Sequence, residues 1–224
     1  MEEKWVLEAK RADFYGLAKR FGIDPVTVRL MVNRGVNTEE KIEKYLHAGR
    51  EDEYSPYLMQ GAEEAAERLL AAICRGERIL IATDFDVDGV FSGEILLTAI
   101  RAVGGQAVVR APHRTREGYG VNVAMVERAC GEGFTTMITC DNGIAAFDAV
   151  ERAKQLGMQV IVTDHHACPY RETAAGPEVL LPAADVIVNP HQPGETYPFH
   201  GLCGAGVAYK VTEILYEKCG LPRT

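Results

Sequence analysis

The segment from Arg78 to Leu97 constrains the fold of this chain more than any other. Its apolar run, Ile79 to Ala82, reads as a short buried strand of the kind found in parallel sheets covered on both faces. At the strand's end stand Asp84, Asp86 and Asp88, alternating with Phe85 and Val87 and closed by Gly89. Apolar spacing then predicts a helix from Ser92 to Val103, with Ile95, Leu96, Ala99, Ile100 and Val103 on one face and Ser92 as its N-cap. Three acids therefore sit at the carboxyl end of a strand, where open α/β sheets place their ligands.

Alternation along an extended backbone puts the three carboxylates on one side, where they repel unless cations lie among them. Divalent ions with oxygen ligands answer that need. An EF-hand opens with the same Asp-x-Asp-x-Asp-Gly pattern, but it requires a bidentate Glu at the loop's twelfth position and a preceding helix. The twelfth residue from Asp84 is Ile95, and a strand precedes the acids, so the calcium-loop reading is set aside.

Two further strand ends carry polar clusters. Met137 to Cys140 runs into Asp141-Asn142-Gly143, and Val160 to Thr163 runs into Asp164-His165-His166. In a parallel sheet such ends converge on one edge, so Asp84, Asp86, Asp88, Asp141, His165 and His166 can share a crevice. Carboxylates with imidazole and no thiolate suit Mn²⁺ or Mg²⁺ better than zinc, and the imidazole favours Mn²⁺. Several carboxylates can hold two ions about 3.5–4 Å apart for in-line displacement at phosphorus. Phosphoester hydrolysis is the chemistry these residues imply.

The remaining chain supports an α/β class. Strands are expected at Ala107–Arg110 and Val186–Val188, with helices over Gly61–Arg75, Val121–Cys130, Ala145–Leu156 and Val207–Tyr216. Residues 1–58 read as a small, mostly polar helical section, with Asp24 capping before Pro25 and a further helix starting at Thr38; the remainder, 59–224, forms the parallel-sheet domain with helices on both faces. A composition that is 47% hydrophobic and 25% charged is that of a globular protein. No apolar run approaches the roughly 18 residues of a membrane span, and the Met1–Trp5 start is too polar for a signal peptide. Six scattered cysteines without a Cys-x-x-Cys pair indicate neither zinc nor a disulfide framework, so a cytoplasmic setting is expected. The net charge of −8 argues against a broad basic face that would grip nucleic acid by counterion release.

The clusters Asp84–Gly89, Asp141–Ile144 and Asp164–His166, in this order and spacing, resemble the first three motifs of the DHH phosphoesterase superfamily. Asn33–Gly35, Arg114–Gly120, Val188–Pro190 and Leu202–Lys210 resemble, more narrowly, its RecJ-type branch of single-strand-specific 5′→3′ DNA exonucleases. The resemblance implies two ions, Mn²⁺ or Mg²⁺: Asp86 on one, Asp88 on the other, Asp84 beside them and Asp141 bridging. It implies His165 as a ligand supported by Asp164, His166 facing the scissile phosphate, and Arg114 as a contact for a terminal phosphate. The implied role is in DNA repair and recombination, on single-stranded nucleic acid, alongside single-strand-binding or replication–repair proteins and away from membranes.

Two departures qualify this. Many relatives have His and Gly where Ala82 and Thr83 stand, which puts a nitrogen ligand of the first ion in doubt. A fourth motif with a further metal-binding Asp is expected after the helix that begins near Gly206, and the chain reaches Thr224 before it. The expectation is an N-terminal piece of a longer exonuclease, with little activity by itself. Two other functions fit the motifs: a DHH phosphoesterase acting on short oligonucleotides, cyclic dinucleotides or pyrophosphate, and a non-catalytic scaffold on the same fold. His191 and His200 are read as loop side chains, Gly204-Ala205-Gly206 as a close-packing site, and Asp185 as a strand residue.

Overall fold

A computed structural model describes residues 5–6, 10–174 and 176–222. The polar start at Met1 to Lys4 and the end at Thr224 lie outside the described residues. The chain forms two compact units, Met1–Glu53 and Tyr54–Thr224.

The first unit consists of α1 (Phe14–Phe21), α2 (Pro25–Asn33) and α3 (Glu39–His47). Each has a side-chain N-cap: Asp13 accepts from the Gly16 amide, Asp24 from Val26 and Thr38 from Lys41. Capping of this kind satisfies donors that the first helical turn leaves free. Ala18, Val28 and Val32 form a small core with Phe14, Leu17 and Ile23.

In the second unit α4 (Ala62–Cys74) leads into an alternation of strands and helices. It runs β1 (Arg78–Thr83), α5 (Val87–Ala102), β2 (Gln106–Arg110), α6 (Val123–Gly131), β3 (Thr136–Cys140), α7 (Phe147–Gln155) and β4 (Gln159–Thr163). A hairpin of β5 (Tyr170–Thr173) and β6 (Gly176–Val179) follows, then β7 (Val186–Val188) and α8 (Gly204–Lys218). Five strands make one parallel sheet in the order β2-β1-β3-β4-β7. The order reverses between β1 and β3: the chain leaves β1 toward β2 and leaves β3 toward β4. Parallel crossovers are right-handed, so reversal sends the connecting helices to opposite faces and opens a crevice at the carboxyl ends of β1 and β3.

Side-chain alternation divides the core accordingly. Ile79, Ile81, Ile138 and Ile161 pack with α4, α5 and α8, while Leu80, Ala82, Met137, Val160 and Val162 pack with α6 and α7. Burying both faces explains why the inner strands are apolar throughout rather than alternating.

Three expectations need correction. The helix after the acids begins at Val87, not Ser92, and Asp86 is its N-cap, accepting from the Gly89 amide at 3.0 Å. The carboxylate at Asp86 supplies the acceptor, whereas Ser92 lies inside the helix and donates to the Asp88 carbonyl. Asp84, Asp86 and Asp88 therefore do not share one side of an extended backbone; they occupy a turn, a cap and a first helical turn. The β5–β6 hairpin was also unforeseen, because its exposed strands, Tyr-Arg-Glu-Thr and Gly-Pro-Glu-Val, bury no apolar face and carry no alternation. Among the described residues, no helix is long and apolar enough to cross a membrane.

Ile138 is fully buried in the central strand. Ile138→Ala is expected to lower unfolding free energy by about 2–5 kcal/mol, while Val108→Ala on the edge strand stays within about 0.5 kcal/mol. Urea denaturation of the two variants measures both, and equal losses would contradict the core assignment.

Candidate metal centre at the carboxyl edge of the sheet

Thr83 and Cys140, the last residues of β1 and β3, are register partners, so Asp84 and Asp141 emerge side by side. Both are buried. Asp141 adopts a left-handed backbone, φ 60°, the sole non-glycine with positive φ among the described residues. Such a conformation costs on the order of 1–3 kcal/mol and persists where the surroundings over-determine it. Carboxylate oxygens of Asp84, Asp86 and Asp141 all lie within 4.8 Å of one another, and a second group of the same tightness joins Asp141 to His165 and His166. Asp141 belongs to both.

Asp88 is held from the far end of the sequence. Its two oxygens accept the Gly204 and Ala205 amides, at 2.7 and 2.8 Å, where α8 begins. A carboxylate at a helix N-terminus is favoured by the exposed amides and the helix dipole. Gly204 permits the approach, since a Cβ there would sit 2.7 Å from both Cβ and Oδ1 of Asp141. Close packing, rather than a free phosphate cradle, is what this glycine serves.

The two imidazoles differ. His165 Nε2 lies 3.0 Å from Asp141 Oδ1 and 3.5 Å from Asp88 Oδ2. His166 Nδ1 lies 2.7 Å from Asp164 Oδ1. The buried Asp164 also accepts the amides of His165, His166 and Ile144. The expected support of His165 by Asp164 is thus corrected: the carboxylate takes the ring of His166 and only the backbone of His165, because the turn between them points the two rings to different partners.

Burial, followed by the neighbouring Asp88 and Asp86 charges, pushes the Asp141 carboxyl up to about 8. The Gly89 amide, ahead of an opposing burial effect, holds Asp86 below the usual carboxylate range. The Asp164 hydrogen bond raises His166 to about 9, making it imidazolium at neutral pH. Both oxygens of Asp141 and Oδ2 of Asp84 are buried and accept no hydrogen bond, although His165 Nε2 stands within ion-pair distance of Asp141 Oδ1. Orphaned acceptors of this kind cost about 1–3 kcal/mol each, more when charged, and a divalent cation is the group that satisfies several at once. The residues present therefore fit a divalent metal. Asp84, Asp86 and Asp141 can hold one ion, and Asp141 with His165 a second; Asp88, expected on an ion, belongs to neither group, because its oxygens take the α8 amides.

Other residues were invisible to motif reasoning. Asn142 is a buried staple: it accepts the Val121 amide and donates to the carbonyls of Ala82 and Cys140, binding the ends of β1 and β3 to the segment that leads into α6. Its signal was a turn-like Asp-Asn-Gly with no hint of three partners. Tyr119 sits against Asp84, and that carboxylate raises the phenol's pKa. Its ring meets Phe85 edge-on at 5.3 Å, and the exposed Arg114 guanidinium lies 5.2 Å from the Phe85 ring centre. Asp185 pairs with Lys154 at 2.6 Å and accepts the Val160 amide, at the amino end of the sheet. His191 and His200 are exposed and stacked on each other, and belong to neither ligand group.

Comparison with known proteins adds the following. The profile of the DHH family, N-terminal domain, matches residues 78–223. The single-stranded-DNA-specific exonuclease RecJ of Bacillus subtilis (strain 168) is 39% identical over 213 residues, which cover 95% of this chain and 26% of that protein. A crystal structure of exonuclease RecJ bound to manganese superposes with a TM-score of 0.66 at 31% identity, covering 76% of this chain and 41% of the other. RecJ from Thermus thermophilus in complex with Mn²⁺ does so with a TM-score of 0.64 at 25% identity, covering 94% and 28%. The chain spans about a quarter of the length of the Bacillus relative.

Asp141 titrates well above its unfolded value, so the neutral carboxyl stabilises the metal-free fold. This contribution is full below about pH 4, the ordinary Asp value, and is lost as pH rises through about 8. Metal-free melting temperature is expected to fall over that window, less so in Asp141→Asn, with a divalent cation stabilising more at pH 8 than at pH 6. Calorimetric scans at both pH values, with and without cation, test this; stabilisation independent of pH would contradict it. Gly204→Ala is expected to weaken cation binding at least tenfold by isothermal titration, because the added methyl collides with Asp141.

Proposed function

This chain belongs to the DHH family, and on that premise we propose that it carries the metal-binding half of the active site of a RecJ-type, single-strand-specific 5′→3′ DNA exonuclease acting in repair and recombination. The observation that carries the proposal is the sharing of Asp141 between two ligand groups, with three buried carboxylate oxygens that accept no hydrogen bond. Mn²⁺ is the favoured ion, since an imidazole joins the carboxylates and the RecJ structures compared hold manganese; Mg²⁺ suits the carboxylates alone. Divalent ions held there would supply Lewis-acid polarisation of a phosphoryl oxygen and lower the pKa of an attacking water.

The chain's own residues do the rest. Asp84, Asp86, Asp141 and His165 would hold the ions, and Asp88, anchored on α8, fixes the rim beside His165. His166 as imidazolium would donate a hydrogen bond to the phosphoryl oxygen on which charge builds, a fixed donor in the sense of an oxyanion site. Asp164 positions that ring and keeps it protonated. Arg114 would take a terminal phosphate with its planar guanidinium, held near the acids by its seat over Phe85. With a net charge of −8, much of the strand must be gripped by surfaces outside this segment, alongside single-strand-binding or replication–repair partners.

The full-length gene product with Mn²⁺ is expected to degrade 5′-phosphorylated single strands and spare duplex, and Asp86→Ala with Asp141→Ala to abolish this. Preferred cleavage of dinucleotides or pyrophosphate would overturn the substrate assignment. Asp164→Asn is expected to lower kcat about 10²-fold or more at pH 8 and less at pH 6, because loss of the carboxylate returns His166 toward its ordinary pKa and it deprotonates in between. A pH–rate profile for kcat that shifts in parallel with the wild type would contradict this role.

A further inference from the structure

A cleft of about 420 Å³ opens beside the ligand groups, with Asp164 and His166 in its wall. Its other lining is Tyr119, Gly120, Val121 and the stretch from Asn142 to Ala146, with Ala167. No lysine or arginine lines it, and the one imidazole, His166, is already paired with Asp164. A second hollow of about 290 Å³ shares Val121, Ala145 and Ala146 and carries the acidic Asp148. Resting on the nuclease reading above, we infer that this cleft seats the base of one nucleotide flanking the scissile phosphate.

The occupant follows from the chemistry of the walls. A backbone phosphate seated inside would find no cation beyond the His166 ring at the rim, and would meet Asp164 and Asp148 instead. An apolar, flat group finds methyl and glycine surfaces with an aromatic ring, Tyr119, on the side near Asp84. Bases stack on such rings with little regard to sequence, because every base has a π face. The volume lies within the range of small-ligand pockets.

Recognition by hydrogen bonding is closed off at the most obvious point. The side-chain amide of Asn142 is committed to Val121, Ala82 and Cys140, so it cannot read a base edge. The cleft holds a base without choosing among the four. His166 joins the two functions: its Nδ1 is fixed by Asp164, and the ring lies between the ligand group it shares with Asp141 and the cleft. A seated base thereby sets where its own phosphate lies relative to that imidazole.

Ala145 is exposed at the cleft wall, outside both ligand groups, so a large side chain there fills space without disturbing the core. In the full-length gene product, Ala145→Trp is expected to raise KM for single strands about tenfold, with kcat and Mn²⁺ affinity within twofold of wild type. The penalty should disappear on strands carrying an abasic nucleotide at either the terminal or the penultimate position, since the clash requires a base. Tyr119→Ala should likewise raise KM, since it removes the ring on which the base stacks. An Ala145→Trp variant equal to wild type, or one equally impaired on intact and both abasic strands, overturns the cleft assignment alone. No turnover of single strands by the wild-type protein overturns the nuclease reading, and this inference with it.

Discussion

Charge crowding at the carboxyl edge of the sheet is the constraint on which the rest of the structure depends. Asp84, Asp86, Asp88, Asp141 and Asp164 converge with two histidines where β1, β3 and β4 end, and burial among like charges holds the proton of Asp141 up to about pH 8. A fold that brings like charges together must hold them against their repulsion. Here the parallel register sets Asp84 beside Asp141, the α5 cap holds Asp86, and the α8 amides hold Asp88. Each carboxylate is tied to a different element, so the cluster cannot relax by moving one loop. A site already built costs little reorganisation when cations enter it.

Much of this was legible because strands in a two-faced sheet advertise themselves. β3 and β7 match the apolar runs at Thr136–Cys140 and Val186–Val188, and the caps Asp24 and Thr38 stand where their side-chain chemistry placed them. Acids at strand ends are equally readable, since a parallel sheet sends all its carboxyl ends to one edge. The start of α5 was not readable from spacing, because an alternating Asp series looks extended whether or not its second member caps a helix. Asp88's partners lie more than a hundred residues away, and no local pattern reports a bond of that reach. Asn142 and Tyr119 escaped for the same reason: their roles depend on what the fold lays against them.

Asp164 illustrates how a single buried carboxylate can organise a neighbourhood. Burial alone would raise its pKa, yet the His166 ring and the amides of Ile144 and His166 hold it below the usual range. The result is an anion with its acceptor capacity taken up and its charge spent on one imidazole. Its neighbour His165 is left free to face the aspartates. Two adjacent histidines thus come to have different electrostatic surroundings.

The helix that caps Asp88 also runs, over 15 residues or roughly 22 Å, to Lys218, whose ammonium reaches Glu63 and Glu67 on α4. Those distal pairs are exposed and individually weak, but the rod between them and the rim is buried along most of its length. Like a strut fixed at both ends, it ties Asp88 to α4. The seat of Asp88 is thus secured at one end by the amides of α8 and at the other by the packing of that helix on α4.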